Sequence, residues 1–214
     1  MLRLGRRDTL AHLTADERSG LRAHFDRHMW VRLPRLLEPA LLDEVQRLLE
    51  RATFERFLHT NVDPPSIDLV MTPGPPSALL EMLLNEPGVY HDIEAITGSD
   101  PISHFVAQLY RLTPEPGHAH EWHSDLIGQR MIALSINLGP GAYEGGVLEL
   151  RDRPTGRVIG AAPNPTPGDA VIFALDPSLQ HRVTRVTAGV KTAFAGWFCG
   201  GPRTYLDVLR AATS

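Results

Sequence analysis

The chain has 214 residues, 43% of them hydrophobic. That is enough for one sizeable core, and all-β barrels of this length are routinely single domains, so one domain over 1–214 is expected. Its 25 acidic and 21 basic residues give a formal charge of -4 without a basic stripe, which argues against nucleic acid as a partner. Cys199 is the only cysteine, which excludes an intramolecular disulfide and a structural zinc site built on several thiolates. A reducing, cytoplasmic setting is therefore expected, and no membrane partner, since no apolar run approaches the roughly 18 residues of a membrane span.

Thr14-Ala15-Asp16-Glu17 reads as an N-cap with acidic first-turn residues, opening a helix that runs towards His28 across Gly20. Met29 to Leu33 is a short apolar strand ended by Pro34. A second helix starts at Glu38-Pro39, with Leu41, Leu42, Val45, Leu48 and Leu49 at helical spacing on one face, a brace for a sheet. The Pro- and Gly-rich stretch from Asn61 to Pro76 reads as a loop or lid around one possible short strand, Ile67 to Met71. Leu79 to Leu84 gives a short helix, and Val89 to Ile96 another, stopped by Gly98.

From Ile102 onward the texture becomes short apolar runs separated by Gly and Pro. The runs are His104 to Leu112, Met131 to Leu138, Val147 to Arg151, Val158 to Ala162, Ala170 to Ala174, His181 to Thr187 and Thr192 to Phe198. About seven such strands point to an antiparallel sandwich or barrel. The fold expected is mostly β (α+β): helical support over about 1–100 and a β core over about 102–200.

The chemistry gathers around Glu121-Trp122-His123-Ser124-Asp125. In an extended strand, residues i and i+2 face the same side, so His123 and Asp125 can share one metal ion. His181, at the start of a β-type run, supplies a second imidazole. Two histidines and one carboxylate on one face leave metal positions open on the other, the arrangement of non-haem Fe(II) oxygenases. In Arg130 to Leu138, Ile132, Leu134, Ile136 and Leu138 form a packing face, while Ala133, Ser135 and Asn137 can line a cavity. The last strand places Lys191, Ala193, Ala195 and Trp197 on one face, so Lys191 points inward. A buried ammonium needs an anionic partner, and a dicarboxylate bound to the metal would supply one.

In order along the chain come His123-x-Asp125, Gly145-Gly146-Val147-Leu148, Gly168-Asp169-Ala170-Val171-Ile172-Phe173, His181, Lys191 and Trp197-Phe198. This series resembles the Fe(II)/2-oxoglutarate-dependent dioxygenases, in particular their prolyl 4-hydroxylase-like branch, over roughly residues 102 to 200. The resemblance implies a double-stranded β-helix (jelly roll) with N-terminal supporting helices. It implies Fe(II) held by His123, Asp125 and His181, and the distal carboxylate of 2-oxoglutarate paired with Lys191. Tyr110 matches a strand tyrosine that hydrogen-bonds 2-oxoglutarate, and Leu148 a position packed on it. Asn137 falls near a position whose side chain contacts the same carboxylate, and His120 replaces a tyrosine common in relatives. The implied cofactors are Fe(II), 2-oxoglutarate as cosubstrate and O2, with ascorbate a further candidate.

The activity so implied is hydroxylation of an unactivated carbon, with release of succinate and CO2. The expected substrate is a small molecule, amino acid or peptide, the target an amino-acid side chain in free, peptide-borne or carrier-bound form. Asp125 favours hydroxylation over halogenation, because related halogenases carry a small residue at that position. The competing reading is a non-catalytic β-helix module that binds or senses a ligand. His118 and His120, among Pro114, Pro116 and Gly117, read as loop residues that are solvated or face substrate. Arg130 reads equally as an exposed strand end or as a contact for a substrate carboxylate, Trp122 as packing at a cavity mouth, and Cys199 as inert. Specificity is expected from the Asn61 to Pro76 loop, the Pro114 to Trp122 loop and the Asp152 to Gly156 turn.

Overall fold

The structure is a computed structural model, and it describes residues 1–60 and 64–201. A small ribbon of β1 (Arg3–Leu4) and β2 (Thr9–Ala11) precedes α1 (Ala15–His28). Helix α1 starts where the sequence signals it: the Thr14 hydroxyl accepts from the Glu17 N–H, and the Glu17 carboxylate accepts from the Thr14 N–H. It runs through Gly20 and ends at Met29, whose φ of 63° is left-handed. β3 (Trp30–Leu33) follows, then α2 (Pro39–Leu49), whose Leu41, Val45 and Leu49 form the buried stripe.

Next come β4 (Phe54–His59) and β5 (Ser66–Met71), which pair antiparallel with His59 opposite Ser66 and Phe57 opposite Asp68. The short strand expected at Ile67 to Met71 is β5, but it is paired into a sheet, and the stretch from 64 to 76 is less of a loop than expected. It holds one strand of an edge hairpin and the first turn of α3 (Pro75–Leu84); residues 61–63 lie outside the described residues. The first partner strand, Phe54-Glu55-Arg56-Phe57-Leu58-His59, carries charged residues through its middle, so its alternation gives little signal. α4 (Pro87–Thr97) ends at Gly98, at φ 63°.

The remaining strands are β6 (His104–Leu112), β7 (His120–His123), β8 (Arg130–Asn137), β9 (Glu144–Gly145), β10 (Leu148–Asp152), β11 (Val158–Ala162), β12 (Ala170–Ala174), β13 (Leu179–Val183), β14 (Val186–Ala188) and β15 (Lys191–Cys199). β9 and β14 pair separately, and the others join β3, β4 and β5 in a seven-stranded sheet, in the order β3-β12-β8-β15-β6-β5-β4, and a four-stranded sheet, β11-β10-β13-β7. Both are antiparallel, and together they make a double-stranded β-helix with helices outside the larger sheet. Among the described residues no helix is long and apolar enough to cross a membrane.

The alternation read in the sequence sorts the two faces of the larger sheet. Ile132, Leu134, Ile136, Phe194 and Phe198 are buried on the outer face together with Val45, Leu80 and Ile93 of the helices. Removing a phenylalanine from such a core costs about 3–5 kcal/mol. The opposite face, with Ala133 and Ser135 from β8 and Ala195 and Trp197 from β15, is left for the space between the sheets. Asp169, expected only as part of a strand motif, pins the edge. It is buried, it takes Arg32 Nε at 3.0 Å, and its other oxygen accepts the Arg35 N–H at 2.7 Å, which ties β3 to the start of β12.

Candidate functional site

Between the two sheets lies a cavity of about 280 Å³. Strands β7 and β13 pair with His123 opposite His181, so the two imidazoles stand side by side with ring centroids 4.2 Å apart. Asp125 reaches them differently from the expectation of a shared strand face. β7 ends at His123, and Asp125 sits beyond it in a turn whose carbonyl accepts the Ile127 N–H at 2.7 Å. One Asp125 oxygen is 3.6 Å from His123 Nε2 and the other 3.4 Å from His181 Nε2. Trp197 Nε1 donates to the latter oxygen at 2.9 Å, which holds the carboxylate although no strand does. The Trp197 ring is covered in turn by the Arg130 guanidinium, 3.5 Å from its centroid.

The donor chemistry suits a metal. One ligand atom from each of His123, Asp125 and His181 lies within 4.8 Å of the others. His123 Nδ1 donates to the Glu121 carbonyl at 2.6 Å, so Nε2 keeps its lone pair and faces the group. Burial pushes the Asp125 carboxyl up, but its hydrogen bond to His181 and the charges of His181 and His123 outweigh that and hold it well below the usual carboxylate range. Burial pushes His181 down against the pull of Asp125, which favours the neutral imidazole that a metal requires.

Lys191 lines the same cavity from the opposite end of β15. It is buried, with only 4% of its surface exposed, and Nζ donates to the Gly146 carbonyl at 2.6 Å. Among the described residues no carboxylate pairs with it, and burial pushes its pKa down to about 8. The Gly145-Gly146 pair makes the space: both have positive φ, and a Cβ on Gly146 would stand 2.9 Å from Lys191 Cδ. A cation held in this way lacks one thing, an anionic partner, and the residues present fit a dicarboxylate.

Of the other residues singled out in the sequence, Tyr110 is buried on the cavity wall and its phenol is pushed up by burial and by the charge of Asp68. Leu148 lines the cavity too. Asn137, expected on the cavity face, is buried but is not among the lining residues: Oδ1 accepts from the Gly139 N–H at 3.0 Å, and Nδ2 is buried with no partner among the described residues. Asn164, which no motif marks, lines the wall, with Nδ2 donating to the Ser135 and Asp169 carbonyls at 3.3 and 3.1 Å. Trp122 is not among the cavity-lining residues; its ring packs against the guanidiniums of Arg151 and Arg182, at 4.5 and 4.6 Å. Cys199 is a buried free thiol.

Of the two histidines expected in a loop, solvated or facing substrate, His118 is buried and outside the cavity lining, whereas His120 lines the cavity from a strand. His118 is not solvated; it is 2% exposed, and its Nδ1 lies 3.0 Å from the Thr113 hydroxyl. His120 belongs to β7, and its Nε2 is 3.1 Å from one oxygen of Asp68, whose other oxygen is 3.1 Å from His59 Nε2. No motif in the sequence marks Asp68 or His59 as a site residue. The signal available was a lone aspartate inside the apolar run Ile67 to Met71, which a strand buries only with partners.

The family model of the 2OG-Fe(II) oxygenase superfamily matches residues 107–199, the stretch that carries His123, Asp125, His181 and Lys191. Over that stretch the chain resembles the superfamily. The match supports a 2-oxoglutarate-dependent dioxygenase, and Fe(II) and 2-oxoglutarate are the cofactor and cosubstrate that the superfamily implies. No curated protein sequence matches this dioxygenase significantly.

Solved structures resemble it in fold. A 2OG-Fe(II) oxygenase family oxidoreductase from Burkholderia pseudomallei is 16% identical with a TM-score of 0.65, over 93% of this chain and 96% of that one. A prolyl-4-hydroxylase from Pseudomonas putida is 17% identical with a TM-score of 0.62, over 86% and 99%. A prolyl hydroxylase from Trichoplax adhaerens, in complex with a hypoxia inducible factor peptide fragment, is 16% identical with a TM-score of 0.64, over 92% of each chain.

Proposed function

We infer that this dioxygenase hydroxylates an unactivated carbon of an amino-acid side chain, in free, peptide-borne or carrier-bound form. His123, Asp125 and His181 hold the Fe(II), and Lys191 binds the distal carboxylate of 2-oxoglutarate. The observation that carries the reading is the pairing, in one cavity, of a two-histidine, one-carboxylate set with a buried lysine that lacks an anion. Bound Fe(II), with 2-oxoglutarate and O2, supplies an oxidative decarboxylation to succinate and CO2 that is coupled to C–H hydroxylation.

The chain's own part is placement. Trp197 orients Asp125 through its indole N–H, and the Glu121 carbonyl fixes the His123 tautomer. Gly146 seats the Lys191 ammonium with its carbonyl. Leu148 and Phe173 give the cavity apolar walls that limit water around the reacting groups. Asp125 stands where related halogenases carry a small residue, which supports hydroxylation. The peptide bound by the Trichoplax adhaerens protein supports a peptide or amino-acid substrate.

The test begins without a substrate. The apo-protein is titrated anaerobically with Fe(II) and then 2-oxoglutarate, following the visible metal-to-ligand charge-transfer band. A band that saturates at one equivalent supports the site, and a panel of amino acids and peptides is then screened for stimulated succinate release. A folded protein that gives no band overturns the assignment of the triad and of Lys191.

A further inference from the structure

We propose that His59, Asp68 and His120 form a second divalent-metal site in the wall of the same cavity. The site goes beyond the oxygenase reading and stands independently of it. Three segments build it. His59 closes β4, Asp68 lies in the middle of β5, diagonal to His59 across the hairpin, and His120 opens β7. The two imidazoles approach Asp68 through Nε2, each at 3.1 Å and each at a different carboxylate oxygen. One ligand atom from each residue lies within 4.8 Å of the other two, the same closeness as in the His123, Asp125 and His181 group.

The chain's treatment of its other buried aspartates separates a metal site from a simple ion pair. Asp92 and Asp169 are as buried as Asp68, and each takes an arginine: Arg18 at 2.8 Å from Asp92 and Arg32 at 2.5 Å from Asp169. Among the described residues Asp68 has no lysine or arginine, only two imidazoles, so its charge is left to whatever those nitrogens hold. Buried charges are paired or coordinate metals. Two imidazoles and a carboxylate, with no thiolate, are a ligand set for zinc and similar first-row divalent ions, with a fourth position open. His59 and His120 both line the cavity, so that position faces the space shared with the iron ligands. The His120 ring stands 6.3 Å from that of His123, which makes the two donor sets neighbours.

Zn(II) is the probe. The metal-free protein is dialysed to equilibrium against micromolar Zn(II) and its content measured by mass spectrometry. The unaltered chain is expected to hold two equivalents, and the His123→Ala/His181→Ala variant one. His59→Ala, which changes the outer end of an edge strand and leaves the core intact, is expected to hold one as well. Adding His59→Ala to the triad double variant is expected to leave none, with circular dichroism confirming that every variant is folded. One equivalent in the unaltered chain, lost with the triad, overturns the second site. Two equivalents surviving His59→Ala overturn it as well. A protein that keeps one equivalent only at His59, Asp68 and His120 instead supports this proposal while the iron assignment fails.

Discussion

Replacing Lys191 with methionine is expected to move cosubstrate affinity and stability in opposite directions. Methionine keeps the length of the side chain and removes its charge. In the folded protein the ammonium is buried against one carbonyl, and burial alone pushes its pKa from 10.5 to about 8. At about 1.4 kcal/mol per unit, holding that charge inside costs the empty protein about 3 kcal/mol at neutral pH. The Gly146 hydrogen bond, worth about 1.5–3 kcal/mol for a charged donor, offsets part of this. Lys191→Met should therefore stabilise the protein without 2-oxoglutarate by about 1 kcal/mol, a rise in Tm of about 2–4 °C for a chain of this size. Losing one partner of a buried charge pair costs about 2–5 kcal/mol, so 2-oxoglutarate affinity should fall by about 30-fold to about 4,000-fold. Thermal melts with and without 2-oxoglutarate, and anaerobic calorimetric titration, measure the two effects on the same samples. Unchanged affinity would refute the clamp. A Tm several degrees lower would refute the account of Lys191 as a destabilising charge kept for its ligand.

Three further expectations rest on other contacts. Because the folded pKa of Lys191 lies below its unfolded value, the empty fold gains stability as pH rises from about 8 to about 10.5. Binding a dicarboxylate needs the proton back, so 2-oxoglutarate affinity should fall by up to about tenfold per pH unit above about 8; titrations that show a flat profile from pH 7 to 9.5 would contradict this. Trp197→Phe removes the indole donor to Asp125 while keeping an aromatic ring, and Fe(II) affinity should drop about 10- to 100-fold with little change in Tm. Asp92→Asn breaks the junction of the buried Asp92 with the partly exposed Arg18 and His12 and with the Leu13 N–H, which fastens α1 and its lead-in to α4. Urea unfolding should register a loss of about 3 kcal/mol, and a loss below about 1 kcal/mol would mean the junction is redundant.

Most of the core was legible because both of its signals are local. His104 to Leu112 reads as a strand and is one over the same residues, and the parity of Lys191 to Trp197 placed Lys191 and Ala195 on the cavity wall. Thr14, Glu17 and Gly98 marked helix ends through cap chemistry that needs no tertiary partner. His123, Asp125 and His181 were found together because each is a ligand-type residue in a recurring order, even though the reason given for Asp125 was not the one the fold uses. It is a turn and the Trp197 indole, from the far end of the chain, that bring its carboxylate to the imidazoles.

What stayed hidden shares a physical cause: each missed feature is made by long-range pairing that leaves little local pattern. β4 is charged through its middle and mostly exposed, because as the edge strand it packs on one side only, so neither alternation nor an apolar run announces it. Without β4 there is no hairpin. Without the hairpin Asp68 looks like an accident in an apolar run, and Pro64-Pro65 and Pro73 to Pro76 pull the reading towards a lid. Once β5 is set beside β6, Asp68 is carried under β7, and His120 becomes its partner from a strand rather than from a loop. A buried carboxylate that the sequence leaves without an arginine is thus the residue most worth tracing through the fold, since only tertiary structure can say what neutralises it.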